Sequence, residues 1–421
     1  MLVWIFQTGE PLHIDGEFAR PMRAINLANS LIETGDEVVI WSSNFFHQKK
    51  KHRYKKINVI DYSDSLKINL IPSIGYKNNI GLGRLVDHAQ LGLNLFTKLK
   101  NYKGPLPEKV FIGYPPIEFA FIAAYWCRKN KIPYNLDVKD MWPDIYIANI
   151  PKFLKKVAKI LLYPYYFLGI WTCKKSSSIS SITKGYLNWV YDFSNISPSK
   201  NDFVFPLSHI ETINNSEAKK NNEVKLINNI FKKIDKNTKI ILFSGSFSKS
   251  IDFETLIFTV SKAFKNEKNW IFVFCGDGPY WKNVNQRIGK LENTYLPGWV
   301  TSSTIKTLSK KATVGIAPYK NSPFFKLSIS NKIYQYLSLG IPIFTSLEGT
   351  LQSLIKKHNI GINFNQEDKN SLYLSLEKYF KKSKKFKDQS KNAKEVYIKF
   401  FEGKIVYQKA VKNFKQITLF R

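Results

Sequence analysis

The chain runs twice through the same local order: a short apolar strand, a glycine-bearing loop, an amphipathic helix and a second apolar strand. The first copy is LVWIF at residues 2–6, then the loop QTGEPLHIDGEFAR. A helix follows over residues 20–34, with Ile25, Leu27, Ala28, Leu31 and Ile32 on one face. Gly35 stops it, and residues 37–41 (EVVIW) form the next strand. The second copy opens with KIILFS at 239–244. It passes through GSFSKS at 245–250 and a helix over 252–264, and returns in WIFVF at 270–274. Strands that are apolar without alternation are buried on both faces, which calls for a parallel sheet with helices on either side. Each copy therefore predicts a doubly wound α/β domain, and two copies predict two of them.

Other segments extend both sheets. Residues 58–62, 109–112 and 134–138 read as strands and 84–99 and 117–128 as helices, with further strand signals at 176–183 and 202–207. In the second half, strands are expected at 294–296, 314–317 and 341–345, with helices at 302–310 and 350–357. The expected division is a domain over 1–207, a polar Asn/Lys-rich linker over 208–238, a second domain over 239–395, and a helical tail over 396–421 that can cross back to the first domain. A length of 421 residues suits two or three domains. Two open sheets of this kind take their ligand in a cleft between their strands' carboxyl ends.

Charge narrows the partners. The formal net charge is +32, which favours an anionic membrane surface, a nucleic acid or a phosphorylated ligand. No aromatic-rich RNA-binding run accompanies it. The three cysteines (Cys127, Cys173, Cys275) are scattered without a metal-binding pair, so a reducing cytoplasm and no metal site are expected. Met1 leads directly into LVWIFQ, so no leader is expected, and no apolar run approaches ~18 residues.

Four stretches carry candidate chemistry. SISNKIYQYLSLGIPI at 328–343 reads as a loop, a helix and a strand, with Ser330 as N-cap, Gly340 as C-terminal stop and Pro342 preventing continuation. The amides of Asn331 and Lys332 then lie in an anion-attracting first turn. A capped surface helix with a solvated lysine is the plainer alternative. Gly9 and Gly16 in the loop after the first strand let a ligand approach the backbone, or serve only as turn glycines. Asp140 follows the strand 134–138 at the ligand edge of its sheet, or acts as a loop carboxylate. Residues 160–173 (ILLYPYYFLGIWTC) are uncharged, broken by Pro164, and flanked by lysines that include Lys155, Lys156 and Lys159. With Tyr165 and Trp171 they suit a membrane interface, or a helix packed on the first sheet.

The order of these motifs resembles the family 4 glycosyltransferases of the GT-B fold, in particular the subgroup from bacterial surface-polysaccharide (O-antigen or capsule) clusters. The similar pieces are GEPLHIDG, RPMRAINLANSLIETGDEVVIW, a segment SSNFFH at 42–47, DVKDMWPD, GSFSKSIDFETLI, FCGDGP, PGWV and SISNKIYQYLSLGIPI. They cover most of the chain from Met1 to about Gly361. The resemblance implies a metal-independent, retaining transfer from a UDP- or GDP-sugar to a lipid-linked or growing glycan. The enzyme would sit peripherally on the inner face of the cell membrane and bind no nucleic acid.

Carried over residue by residue, the resemblance puts the diphosphate on the amides of Asn331 and Lys332, on Lys249, and on Gly16 or Gly9. Ser246 stands where an arginine is common. Gly276 and Gly278 line the cleft, and Gly298, Trp299 and Val300 border the base. Asp140 falls beside a site where many members carry His-Asp; here the pair is Lys139-Asp140. Gln335 and Leu327 occupy the two positions of the family's paired acids. An amide at 335 still accepts one hydroxyl hydrogen bond and donates another, but loses charge assistance of roughly 1 kcal/mol. A sugar-nucleotide epimerase of the same fold is the alternative expectation, and a nucleic-acid binder the remotest one.

Overall fold

The computed structural model describes residues 1–16, 21–55, 59–79, 81–148, 150–208 and 221–418. The chain divides into two compact units, Met1–Pro206 with Lys404–Arg421, and Leu207–Gly403.

In the first unit, chain order gives β1 (Leu2–Phe6), β2 (Glu37–Ser43), β3 (Phe45–Phe46), β4 (Lys51–His52), β5 (Val59–Ser63), β6 (Leu66–Ile71), β7 (Lys109–Tyr114), β8 (Tyr134–Val138), β9 (Ser178–Ser181) and β10 (Phe203–Val204). Eight of them form one sheet in the order β10-β9-β8-β7-β1-β2-β6-β5, while β3 and β4 pair separately. All neighbours in the large sheet are parallel except β5 and β6. Strand β1 lies between β2 and β7, so the strand order reverses there, and the loops after β1 and β7 leave the sheet at its ligand edge.

The strands' two faces carry separate cores. Trp4, Phe6 and Trp41 pack with Leu95, Ala123 and Cys173, under the helices Leu82–Lys100, Ile117–Lys129 and Tyr163–Lys174. Val3, Ile5 and Ile40 pack on the other side with Leu27, Ala28 and Leu31 of the helix Arg23–Ile32. The helix Gly403–Lys415 adds Val406, Tyr407, Ala410, Val411 and Phe414 to that second face, and Lys415 pairs with Asp36 at 2.6 Å. A buried ion pair ties the first unit together. Arg23 donates to both carboxylate oxygens of Asp137 at 2.6 and 2.8 Å, and to the carbonyls of Phe205 and Pro206.

The second unit holds β11 (Lys239–Ser244), β12 (Trp270–Cys275), β13 (Thr294–Gly298), β14 (Val314–Ala317), β15 (Ile343–Thr345) and β16 (Gly361–Asn363). They form an all-parallel sheet in the order β13-β12-β11-β14-β15-β16. Its order reverses at β11, between β12 and β14. Both sheets are therefore doubly wound, as expected.

The polar stretch expected to be a linker over 208–238 contains a helix, Asn221–Lys232. Ile227 and Ile230 are buried in the core, and Glu223 accepts hydrogen bonds from the hydroxyls of Thr301 and Thr304. One apolar residue every three or four positions suffices to seat a helix, although the overall composition stays polar. The rest of the expected linker at 209–220 lies outside the described residues. Strands β6 and β16 were also not anticipated; LKINLI alternates like a half-exposed strand yet lies inside the sheet between β2 and β5.

Candidate functional site

The second unit's ligand edge is assembled from loops that are bonded to one another through their backbones. Gly245 N–H donates to Cys275 C=O at 2.9 Å, Phe247 N–H to Asp277 C=O at 2.9 Å, and Gly276 N–H to Gly298 C=O at 2.7 Å. On the other side of β11, Asp252 N–H donates to Pro318 C=O at 2.8 Å, and Lys320 N–H to Ser250 C=O at 2.9 Å. The loops after β11, β12, β13 and β14 thus form one rim. Gly276 makes this possible: it holds φ +140°, and a Cβ there would overlap the Gly245 carbonyl oxygen.

The helix Asn331–Ser338 begins at this rim. Tyr336 anchors it from below: its fully buried hydroxyl accepts from Ser244 N–H at 3.0 Å and donates to Leu242 C=O at 3.2 Å. Gly340 ends the helix with φ +66°, as expected. Ser330 occupies the N-cap position in extended conformation, but its hydroxyl makes no capping bond, which corrects the sequence expectation. Ile333 N–H bonds Ser330 C=O, while the amides of Asn331 and Lys332 have no partner among the described residues.

Lys332 is not the solvated lysine of the plainer alternative. Its ammonium turns back beneath the Gly245 loop, 4.0 Å from the Phe243 ring centroid and 4.9 Å from that of Tyr319. A Cβ on Gly245 would stand 2.8 Å from its Nζ. The residue as a whole is only partly covered, but burial of the ammonium pushes its pKa down to about 7. Ser246 and Lys249 are exposed on the rim. Gly278 is half-buried against Phe247, Trp299 is 66% exposed, Val300 is buried, and Gln335 and Leu327 are half-buried.

In the first unit the loop after β1 is filled by the protein's own groups. Glu10 accepts from Ala24 N–H at 2.9 Å, at the start of the helix Arg23–Ile32, and from Lys139 Nζ at 2.5 Å. The carboxylate thus occupies the helix N-terminus that an external anion would need. Gly9 and Gly16 are exposed with φ +74° and +92°, and the space a Cβ would fill is open at both. Asp140 is half-buried, and burial raises its carboxyl pKa against the opposing pull of Lys139 and Arg84.

Around this edge lies a polar group that sequence reasoning missed. His47 is hydrogen-bonded to Tyr76 at 2.7 Å and meets Lys50 at 3.1 Å, while Arg84 lies 4.9 Å from the Trp142 ring. Burial, helped by Lys50 and Arg84, lowers the His47 pKa to about 4, and burial with Arg84 and His47 lowers that of His88 to about 3. These residues come from four separate loops and helices, so no local spacing announces them. Among the described residues no group of three His, Cys, Asp or Glu is arranged to hold a metal ion.

The segment 152–175 is two helices, Lys155–Leu161 and Tyr163–Lys174, with Pro164 in the first turn of the second. Tyr165 and Trp171 pack inward against the first unit's core, so they are not the outward contacts expected. Trp171 meets Phe121 edge-on at 5.1 Å. The outward residues are Phe153, Ile160, Leu161, Tyr163 and Phe167, exposed by 54–80%, with Lys156 and Lys159 exposed and Lys155 half-buried among them. Among the described residues no helix is long and apolar enough to cross a membrane.

Two doubly wound units in one chain, the second with a nucleotide-type rim, define the GT-B class, and comparison with known proteins agrees. Residues 227–396 match the family described as "Glycosyl transferases group 1", so the second unit carries a glycosyltransferase domain and the protein is an enzyme. No curated protein matches the chain in sequence. Solved structures similar in fold include sucrose-phosphate synthase from Thermosynechococcus elongatus, at 12% identity and TM-score 0.70 over 99% of this chain and 98% of that one. WaaG, a glycosyltransferase involved in lipopolysaccharide biosynthesis, is 13% identical, with TM-score 0.64 over 99% and 100%. The structure described as trehalose-6-phosphate from E. coli bound with UDP-2-fluoro glucose is 11% identical, with TM-score 0.68 over the whole of both chains. These findings favour transfer over the epimerase alternative.

Proposed function

We propose that the protein is a metal-independent, retaining glycosyltransferase that moves a sugar from a UDP- or GDP-sugar to a hydroxyl of a lipid-linked or growing surface glycan. It works from the cytoplasmic side of the membrane. The observation that carries this reading is the convergence of the glycine rim, two helix amides without a partner among the described residues, and Lys332 at the β11 reversal, within the segment that matches the family. The UDP-sugar in one fold relative and the lipopolysaccharide role of another support the donor and acceptor classes.

In this reading the hard step is departure of the nucleotide diphosphate. Charge grows on its oxygens, and preorganised amides of Asn331 and Lys332, with the ammonium groups of Lys332 and Lys249, stabilise it where it develops. Gly276, Gly278, Ser246 and Ser330 line the phosphates and sugar. Gly298, Trp299 and Val300 border the base, and Gln335 holds ribose hydroxyls. The first unit presents the acceptor near Asp140, with Gly9 or Gly16 allowing close approach. A donor phosphate oxygen takes the acceptor proton on the face from which the leaving group departs, so no side-chain base is needed.

A panel of sugar nucleotides read by thermal shift in EDTA tests the reading. A ligand at a hundred times its Kd adds about 2.7 kcal/mol, so a true donor stands out from the panel. Absence of any shift with both UDP- and GDP-sugars overturns it.

A further inference from the structure

The first unit contains a cavity that the donor and acceptor assignments do not use. It has a volume of about 620 Å³, within the range of small-ligand sites. Trp41, Val59, Leu70, Ile71, Pro72 and Tyr102 give it largely apolar walls. One side is the helix Leu82–Lys100, which contributes Asn94, Thr97 and Lys98 at helical spacing; Lys103 follows in the next loop.

Two features point to one kind of ligand. Lys98 and Lys103 are exposed and carry positive charge to the lining. On the same helix, next to Asn94 and Thr97, Leu93 is 67% and Phe96 42% exposed, and Val86 and Leu82 continue this stripe toward the helix start. An apolar chamber with cationic edges beside an exposed apolar stripe is matched by a molecule with a hydrocarbon body and an anionic head.

We propose that this cavity binds a single-chain anionic amphiphile: its alkyl body lies against Trp41, Ile71 and Pro72, and its phosphate or carboxylate head is held by Lys98 and Lys103. The inference deepens the proposed function by giving the lipid part of an anionic lipid-linked acceptor a place in the first unit, and it rests on that reading for this role alone. Binding itself can be measured without any donor.

The test is calorimetric titration of the full chain with decyl phosphate, decanoate, decyl glucoside and inorganic phosphate, the alkyl probes kept below micelle formation. Two variants at exposed positions accompany it: Thr97→Trp, which fills the cavity, and Lys98→Gln with Lys103→Gln. The expected result is binding of the charged alkyl probes, at least tenfold weaker in both variants, with decyl glucoside weak and inorganic phosphate not bound. The relative strength of decyl phosphate and decanoate tells which head the site prefers. Unchanged alkyl binding in Thr97→Trp, or equal binding of decyl glucoside, overturns the proposal. A UDP-sugar thermal shift on the same variants keeps the two readings apart: it stays intact if only the cavity assignment fails, and is absent from wild type if the donor reading fails.

Discussion

The ammonium of Lys332 lies 4.0 Å from the centre of the Phe243 ring, inside the sheet's ligand edge and not out in solvent. A lysine stored this way is an anion receptor held short of its charge. Burial has brought its pKa from an ordinary 10.5 to about 7, so near pH 8 the folded protein holds it largely neutral, whereas the unfolded chain holds it charged. The unfolded state then binds more protons between about pH 7 and 10.5, so this group makes stability rise with pH across that window. Below pH 7 both states are charged and the full burial cost is present. Lys332→Met should flatten this part of the stability–pH curve. A diphosphate beside the ammonium should restore its proton, so UDP binding at pH 8 takes up protons. Calorimetry in two buffers of different ionisation enthalpy reads that uptake, and buffer-independent heats in wild type would show the assignment to be wrong.

The rim's tolerance should differ sharply between two of its glycines. Gly276→Ala places a methyl against the Gly245 carbonyl oxygen, so the bonded loops must separate. Gly298 has φ +76° with open space around it, so Gly298→Ala meets only the left-handed backbone penalty of about 1–2 kcal/mol. Donor affinity is expected to collapse in the first variant and to change by less than about tenfold in the second. Similar losses in both would mean that the inter-loop bonds are not what shapes the site.

The carboxylate of Asp137 and the guanidinium of Arg23 are buried together. Removing one partner leaves the other charge unpaired in the core, at a cost of about 3–5 kcal/mol. Asp137→Asn and Arg23→Met should both lower the unfolding midpoint in urea. The double variant should lose less than the sum, because neither charge then remains stranded. Strict additivity would argue against direct coupling.

What the sequence made legible follows from how local each feature is. The strands at 134–138, 239–244 and 314–317 have the ends expected from their apolar runs, because burial on both faces leaves an unambiguous pattern. The rim glycines were legible as turn-formers at strand ends. The inward turn of Lys332 was not, since it depends on the room left by Gly245, more than eighty residues earlier. Tyr165 and Trp171 read as interface aromatics until the helix Ile117–Lys129, with Phe121, is seen packed against that face. The His47–Tyr76–Arg84 group was invisible because its members meet only through tertiary packing.

Membrane attachment should separate into two experimentally distinct parts. Changing Lys155, Lys156 and Lys159 to Gln removes about 1 kcal/mol each, roughly a hundredfold in partitioning to anionic vesicles. That loss should shrink at high salt, where the charges are screened. Ile160→Ser with Leu161→Ser removes exposed apolar contact and should weaken binding at every salt concentration. Trp171→Ala should instead lower the melting temperature and leave flotation unchanged, since that ring packs inward. Flotation that ignores both the lysine and the Ile160/Leu161 changes would remove this surface from consideration.

The last expectation concerns Gln335, half-buried on the helix that begins at the rim. If its amide grips ribose hydroxyls, Gln335→Glu supplies a charged acceptor of nearly the same shape, and a hydrogen bond to a charged group exceeds a neutral one by roughly 1 kcal/mol. Donor binding should tighten about fivefold, with little change in stability because the side chain is not sealed in the core. Gln335→Leu leaves the hydroxyls unpaired and should weaken binding by a comparable or larger factor. The comparison between a UDP-sugar and its 2′-deoxyribose analogue decides the role: the gain in Gln335→Glu must vanish for the deoxy donor. A gain of equal size for both nucleotides would place the residue away from the ribose.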